Sequence, residues 1–294
     1  MTDKPDSRVN AYRADLADSA LCGRVTAERY VEGRQAVVCE PVVNLHAQPS
    51  AAAAIDTQAL LGETVRVFDE AEGWSWVQLD ADHYVGYVPT HQLADPGAAA
   101  THVVSAPRSF IYGEADLRSP LRYACSMGSR VTVTGTQVTR GTHYCLLADG
   151  TAIIAGHVQP VSMLAADYVD VATLFLQTPY LWGGRSGMGL DCSALVQLSM
   201  MMCGQIAPRD TNMQEASLGR PVDTGPASAP DFTSLQRGDL VFWQGHVAIV
   251  EDGQTILHAN GHTMLVTREP LAEAIGRIAH LYGLPTSVRR PGVA

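Results

Sequence analysis

Between Val43 and Asp95, apolar and polar residues alternate in short runs: ETVRVFD at 63–69, SWVQL at 75–79 and HYVGYVP at 83–89, each closed by turn residues. A period of two over so few positions predicts half-buried strands, and their close spacing predicts a small antiparallel barrel. The scheme returns between about His102 and Val161. Gly62-Glu63-Thr64-Val65-Arg66-Val67 echoes Gly128-Ser129-Arg130-Val131-Thr132-Val133, and Gly86-Tyr87-Val88-Pro89 echoes Gly156-His157-Val158-Gln159-Pro160. Such self-similarity predicts a duplicated unit, with the Ala/Pro/Gly-rich run at 94–100 as the link. The expected division is an N-terminal extension over 1–42 with a short helix near 12–18, a first barrel over 43–98 and a second over 99–161.

The period changes over 162–294. Leu164, Tyr168, Val171, Ala172 and Phe175 fall on one face of a predicted helix over 162–176. Glycines at 183, 184, 187 and 189 predict an irregular loop, and an amphipathic helix follows it, with Leu195, Leu198 and Met202 at helical spacing. A long polar loop over 206–236 has no periodicity between Pro221 and Pro230. Strands are predicted at 239–243, 246–251 and 255–259 and near 264–267, then a helix over 270–280 and a polar tail. Helices first and a meander afterwards predict an α+β domain.

Composition narrows the partners. A net charge of −10 and a pI near 5.4 argue against nucleic acid and against docking on an anionic membrane. No apolar run approaches the roughly 18 residues of a membrane span. The first residues show neither an apolar core nor a small-residue cleavage site, and the six cysteines form no C-x-x-C pair. Reduced thiols and a cytoplasmic address are the expectation.

The candidate chemistry centres on Cys192. Asp191 is a plausible N-cap, which puts Cys192 in the first turn of a helix, where the dipole and unpaired N–H groups lower a thiol's pKa. Read alone, it is more readily a buried structural cysteine than a nucleophile. A nucleophilic cysteine needs a base, and the base needs an orienting group. His246 and His258 lie on predicted strands, and the loop between them decides whether they meet. A two-residue Asp252-Gly253 turn would put the imidazoles on opposite faces. A three-residue Glu251-Asp252-Gly253 loop would pair Val250 with Gln254 and set His246 directly across from His258. The three-residue loop is predicted. A zinc site is the competing arrangement, because His258 and His262 have ligand-like spacing and Cys192 could supply a thiolate.

The motifs YLWGG (180–184), LDCSALV (190–196), PRDTNMQ (208–214), GDLVFW (238–243), GHVAIV (245–250) and ILHANG (256–261) resemble the NlpC family of papain-like cell-wall cysteine peptidases over 163–285. The two barrels resemble bacterial SH3-like domains. The resemblance implies a papain-like α+β catalytic domain behind two all-β barrels, with no cofactor or metal. It makes Cys192 the nucleophile, His246 the general base and acid, His258 the orienting residue and Tyr180 a donor to the oxyanion, beside the Cys192 N–H. It further implies a substrate amine read by Asp191, Ser193, Glu63 and Tyr84, with Thr211 and Trp182 as further substrate contacts. The implied reaction cuts L-Ala-γ-D-Glu from an L-diamino acid in peptidoglycan stem peptides, in murein recycling. Two other readings stay open: a non-catalytic wall-fragment binding protein, against which the intact Cys192, His246 and His258 weigh, and an acyltransferase or amidase on the same fold.

Overall fold

A computed structural model describes residues 5–225 and 230–292, so 226–229 of the long polar loop lie outside the described residues. The chain divides into two units, Met1–Met163 and Leu164–Ala294.

In the first unit the strands alternate as their sequence does. Val43, Leu45, Val65, Val67, Val77, Leu79 and Val88 turn inward and form one core. Across the sheet the order is Ile55–Leu60, Val42–His46, Val85–Pro89, Trp74–Leu79, Thr64–Ala71, Arg34–Val38 and Leu93–Ala94. Arg34–Val38 lies in the stretch read as an extension, yet its alternate residues Ala36 and Val38 are core members. The helix expected near 12–18 is absent: Leu16–Asp18 is a strand, paired in parallel with Arg29–Val31. Leu16 and Ala11 bury themselves against Phe68 and Trp76, and Arg13 lies 4.4 Å over the Trp76 ring while pairing with Asp69 at 2.6 Å. Contact with the barrel wall outweighs the local helical preference.

Residues 102–160 repeat the same strand order. Leu121–Ser126, Arg108–Tyr112, Ala152–Ile154, Thr142–Leu147 and Val133–Thr139 form one sheet; Arg130–Val131, His102–Val104 and Val158–Pro160 form a second. The break falls at Thr132, between strands that are continuous in the first copy. The echo of Gly86 in Gly156 does not survive. Gly86 sits inside a strand, whereas Gly156 sits in the 3₁₀ turn Ala155–His157, whose counterpart is Thr90–Gln92. The echo of Gly62 in Gly128 does survive, since both adopt positive φ immediately ahead of a strand.

The second unit carries helices α1 (Tyr168–Thr173), α2 (Cys192–Met202), α3 (Thr211–Ser217) and α4 (Leu271–Tyr282). Its sheet comprises β1 (Arg220–Pro221), β2 (Leu240–Trp243), β3 (His246–Val250), β4 (Thr255–Asn260), β5 (Leu265–Pro270) and β6 (Ser287–Arg290), in the spatial order β1-β6-β2-β3-β4-β5. Leu271, Ala274 and Ile278 of α4 pack on Val241, Trp243, Ala248, Val250, Ile256 and Val288. Helix α2 packs against β3 and β4 and is buried at every position but Met201, so it is a core helix rather than an amphipathic one. Helix α1 is shorter than expected, because Asp167 caps it through the Val169 N–H. The predicted face of Tyr168, Val171, Ala172 and Phe175 is buried, but Leu164 lies outside the helix and 57% exposed. The polar tail contributes β6, which slots beside β2 with Val288 inward and Arg290 bound to the buried Asp239 at 2.6 and 2.7 Å. Among the described residues the molecule is mostly sheet.

Gly62 has φ +78, and a Cβ there would stand 2.3 Å from the Arg130 carbonyl oxygen, whose own N–H bonds Leu61. Gly62→Ala is therefore expected to lower stability by about 2–4 kcal/mol, combining strain with a backbone clash. Gly156→Ala meets nothing within 4 Å and has no positive φ. It is expected to be neutral within about 0.5 kcal/mol, and urea unfolding of both variants checks the contrast.

Candidate functional site

The site is assembled on one buried carboxylate. Asp191 caps α2 by accepting the Ala194 N–H on Oδ1 at 2.8 Å, and the Ser193 hydroxyl reaches the same oxygen at 3.2 Å. Arg209, 1% exposed, forks onto both oxygens at 2.9 and 2.6 Å, and the Gly183 N–H donates to Oδ2 at 3.1 Å. Three separate segments thus converge: the glycine loop, the head of α2 and the PRDTNMQ stretch. The loop is tight because Gly184 and Gly189 lie backbone to backbone; a Cβ on Gly184 would meet the Gly189 oxygen at 2.6 Å. It is less irregular than expected, since Arg185–Ser186 and Gly189–Leu190 pair as a small antiparallel hairpin. The Gln214 amide ties α3 in by donating to the carbonyls of Ser193 and Pro208 at 2.9 and 2.8 Å.

Cys192 opens α2 and is buried, its Sγ 3.8 Å from the Thr211 hydroxyl. The expected depression of its pKa is overturned. Burial, followed by the charge of the adjacent Asp191, pushes the thiol up to about 11, against weaker help to the thiolate from the Val247 N–H, Thr211 and Arg209. The carboxylate that caps the helix offsets the very potential expected to activate the thiol. The Val247 N–H nevertheless places Sγ one peptide from His246.

His246 and His258 are brought together by a register other than the predicted one. The ladder pairs Ile249 with Leu257 and Val250 with Ile256, and the Glu251 N–H bonds the Thr255 carbonyl, so the loop is Asp252–Gln254. Asp252 holds that loop by accepting the N–H groups of Gln254 and Thr255. Continued in step, this ladder sets Ala248 opposite His258 and leaves His246 diagonal to it. A slip of two residues changes the partner but keeps the face, because side chains alternate with a period of two. The rings still meet, His246 Nε2 lying 2.9 Å from His258 Nδ1. Burial first, then the fields of His258 and Arg277, push the His246 imidazole below its ordinary value. His258 is fully buried, with its other nitrogen 2.8 Å from Glu269 Oε1 in an ion-pair contact that falls short of hydrogen-bond geometry.

Tyr180 lies in the field of Cys192 and Asp191, which together with burial raises its hydroxyl pKa and keeps it a donor. Trp182 is 69% exposed beside the glycine loop. Ser193 is buried and accepts from Arg209 at 2.9 Å while donating to Asp191. Glu63 and Tyr84 both lie in the first unit. The Glu63 carboxylate is buried and accepts the Leu60 N–H at 2.8 Å, and Tyr84 is a member of the barrel core. Sequence reasoning missed Arg209, Gln214, Glu269 and Arg277. The first two stand inside the PRDTNMQ motif, where their position was the available signal; the latter pair carries no local signal.

Arg209→Met would leave the Asp191 charge buried without its partner, and is expected to cost about 3–5 kcal/mol in urea unfolding. The raised thiol pKa sets the sign of a pH effect: at pH 7 the Cys192 thiolate fraction is smaller than that of free cysteine. Iodoacetamide labelling of Cys192, taken as the difference from Cys192→Ala, should climb roughly tenfold per pH unit through the alkaline range below that pKa. A plateau from neutral pH upward would mean a preformed thiolate–imidazolium pair instead.

Comparison with known proteins agrees with this geometry. Residues 177–276 match the NlpC/P60 family, and residues 45–93 match the bacterial dipeptidyl-peptidase SH3 domain. The chain is 27% identical over 246 residues to dipeptidyl-peptidase 6 of Lysinibacillus sphaericus, covering 76% of this chain and 87% of that protein. It is 28% identical over 235 residues to the gamma-D-glutamyl-L-lysine dipeptidyl-peptidase of Bacillus cereus, covering 69% of this chain and 66% of that protein. A crystal structure of an NlpC/P60 family protein from Bacillus cereus shares the fold, with a TM-score of 0.70 at 22% identity over 87% of this chain and 99% of that one. The chain carries an NlpC/P60 domain behind a bacterial dipeptidyl-peptidase SH3 domain, and it is a hydrolase of peptides.

Proposed function

We propose that this protein is a cysteine peptidase that cuts the γ-D-Glu–L-diamino acid bond of peptidoglycan stem peptides bearing a free N-terminal L-Ala. The diamino acid is meso-diaminopimelate or lysine, and the released product is L-Ala-D-Glu. The observation that carries the reading is the 2.9 Å bond from His246 Nε2 to His258 Nδ1, with Cys192 in the first turn of the helix that Asp191 caps. With Nε2 engaged, His246 Nδ1 is the nitrogen left to take the thiol proton. Sγ then attacks the γ-carbonyl carbon, and the oxyanion meets the Cys192 N–H and the Tyr180 hydroxyl. Collapse breaks the C–N bond, His246 returns its proton to the leaving amine, and a thioester remains. A water, deprotonated by His246, attacks the thioester and frees the dipeptide and the thiol.

The free L-Ala ammonium calls for a carboxylate. Asp191 already receives Ala194, Ser193, Gly183 and both arms of Arg209, more donors than the roughly four lone-pair sites of a carboxylate. Its contribution is best read as placing Cys192 and Ser193. Thr211, beside the nucleophile, is the candidate contact for the D-Glu carboxylate. The second barrel, with the strand order of the first, is read as a second SH3-like domain. A net charge of −10 and six free thiols suit recycling of imported fragments in the cytoplasm better than attack on an anionic wall.

Mass spectrometry after incubation with L-Ala-γ-D-Glu-meso-diaminopimelate, its lysine counterpart and the N-acetylated tripeptide tests the reading. Release of L-Ala-D-Glu from the free tripeptides alone, abolished in Cys192→Ala, is the expected result. Cleavage of the acetylated peptide would remove the amine requirement while keeping the nucleophile. Binding without cleavage of any substrate would favour a wall-fragment binding protein.

A further inference from the structure

We propose that Glu269, held by Arg277, is a positioning residue that sets the tautomers of both histidines and so delivers a bare Nδ1 on His246. For catalysis this rests on the peptidase reading above; the tautomers themselves do not. Glu269 lies on β5, where Thr267 pairs with His258, so Glu269 stands on the same face two residues along. Its Oε1 is 2.8 Å from His258 Nε2, and the same oxygen accepts from Arg277 Nη2 on α4. Burial opposes ionisation of Glu269, but His258 and Arg277 beside it outweigh that and hold the carboxyl below its ordinary value.

An ionised carboxylate can only accept, and its charge repels a lone pair 2.8 Å away, so a neutral His258 carries its proton on Nε2. Its Nδ1 is then a lone pair, which at 2.9 Å from His246 Nε2 must receive a proton from that nitrogen. His246 is thereby protonated on Nε2 and bare on Nδ1. The polarity of the whole chain, Glu269 to His258 to His246, is dictated by its one ionised end. Without Glu269 the sequence of donors can reverse. His258 would donate from Nδ1, His246 would carry its proton on Nδ1, and the thiol proton would have nowhere to go. A wrong imidazole tautomer is a large kinetic defect even when geometry is intact. Neither Glu269 nor Arg277 touches the thiol, and their side chains are 20% and 28% exposed at the edge of the unit. Their effect on the nucleophile runs only through the two rings.

The test compares Glu269→Leu, which removes the acceptor and excludes water, with Glu269→Gln, whose Oε1 can still accept from both His258 and Arg277. Imidazole ¹⁵N NMR of substrate-free protein reads which ring nitrogens carry protons. The wild type and Glu269→Gln are expected to show Nε2–H on both histidines, and Glu269→Leu to lose that uniform state. With the stem tripeptide, Glu269→Leu is expected to lose about 100-fold or more in kcat at a KM within about twofold, and Glu269→Gln to stay within about tenfold of wild type. Should the leucine variant not fold, Glu269→Ala is read the same way. Unchanged tautomers in the acceptor-free variant would overturn the inference, as would equal losses in kcat for Gln and Leu. Because the NMR arm needs no substrate, an inactive wild type would sink the peptidase reading and still leave the tautomer assignment to be judged.

Discussion

Everything about the candidate site hangs on the Asp191 carboxylate. It opens α2, closes the glycine loop through Gly183 and draws Arg209 into the interior. A guanidinium that is 1% exposed is tolerable only because the carboxylate meets it with two short bonds. The same ionic contact decides where the first turn of α2 begins, and so where the thiol of Cys192 stands. The arrangement trades activation for placement: a negative charge beside the thiol raises its pKa while fixing its position.

That trade explains the rest of the chemistry. A thiol held above its ordinary pKa depends on a base to take its proton. His246 is held from behind by His258, and His258 from behind by Glu269 and Arg277. The permanent charges sit at the two ends of the site, Asp191 with Arg209 under the nucleophile and Glu269 with Arg277 behind the bases.

In the first unit strand order is kept where the sequence echoes are not. Both halves follow one strand order, although the second is split at Thr132 and only residues 45–93 match the SH3 domain family. The surviving echo, Gly62 and Gly128, lies where the backbone needs positive φ. The spurious one, Gly86 and Gly156, matched letters across elements of different kind. A glycine required by a backbone conformation carries information about the fold. A glycine in a short apolar context carries little.

Alternation of period two made the strands legible, and a capping aspartate ahead of an apolar run made the head of α2 legible, because both are local consequences of residue order. The shared face of His246 and His258 was also accessible, since a two-residue slip preserves the face even where the predicted loop was wrong. What tertiary structure alone decided are the long-range matters. Ala36, Val38 and Val288 became strand residues because sheets offered them a partner edge, and Leu16 was drawn from an expected helix by Phe68 and Trp76. The thiol's pKa was decided by burial and by a charge one residue away, against the dipole that the sequence made visible. Glu269 and Arg277 entered the site from β5 and α4, eleven and more residues beyond His258. Sequence records which groups are neighbours along the chain. Dielectric surroundings and cross-strand partners exist only once the chain has closed on itself.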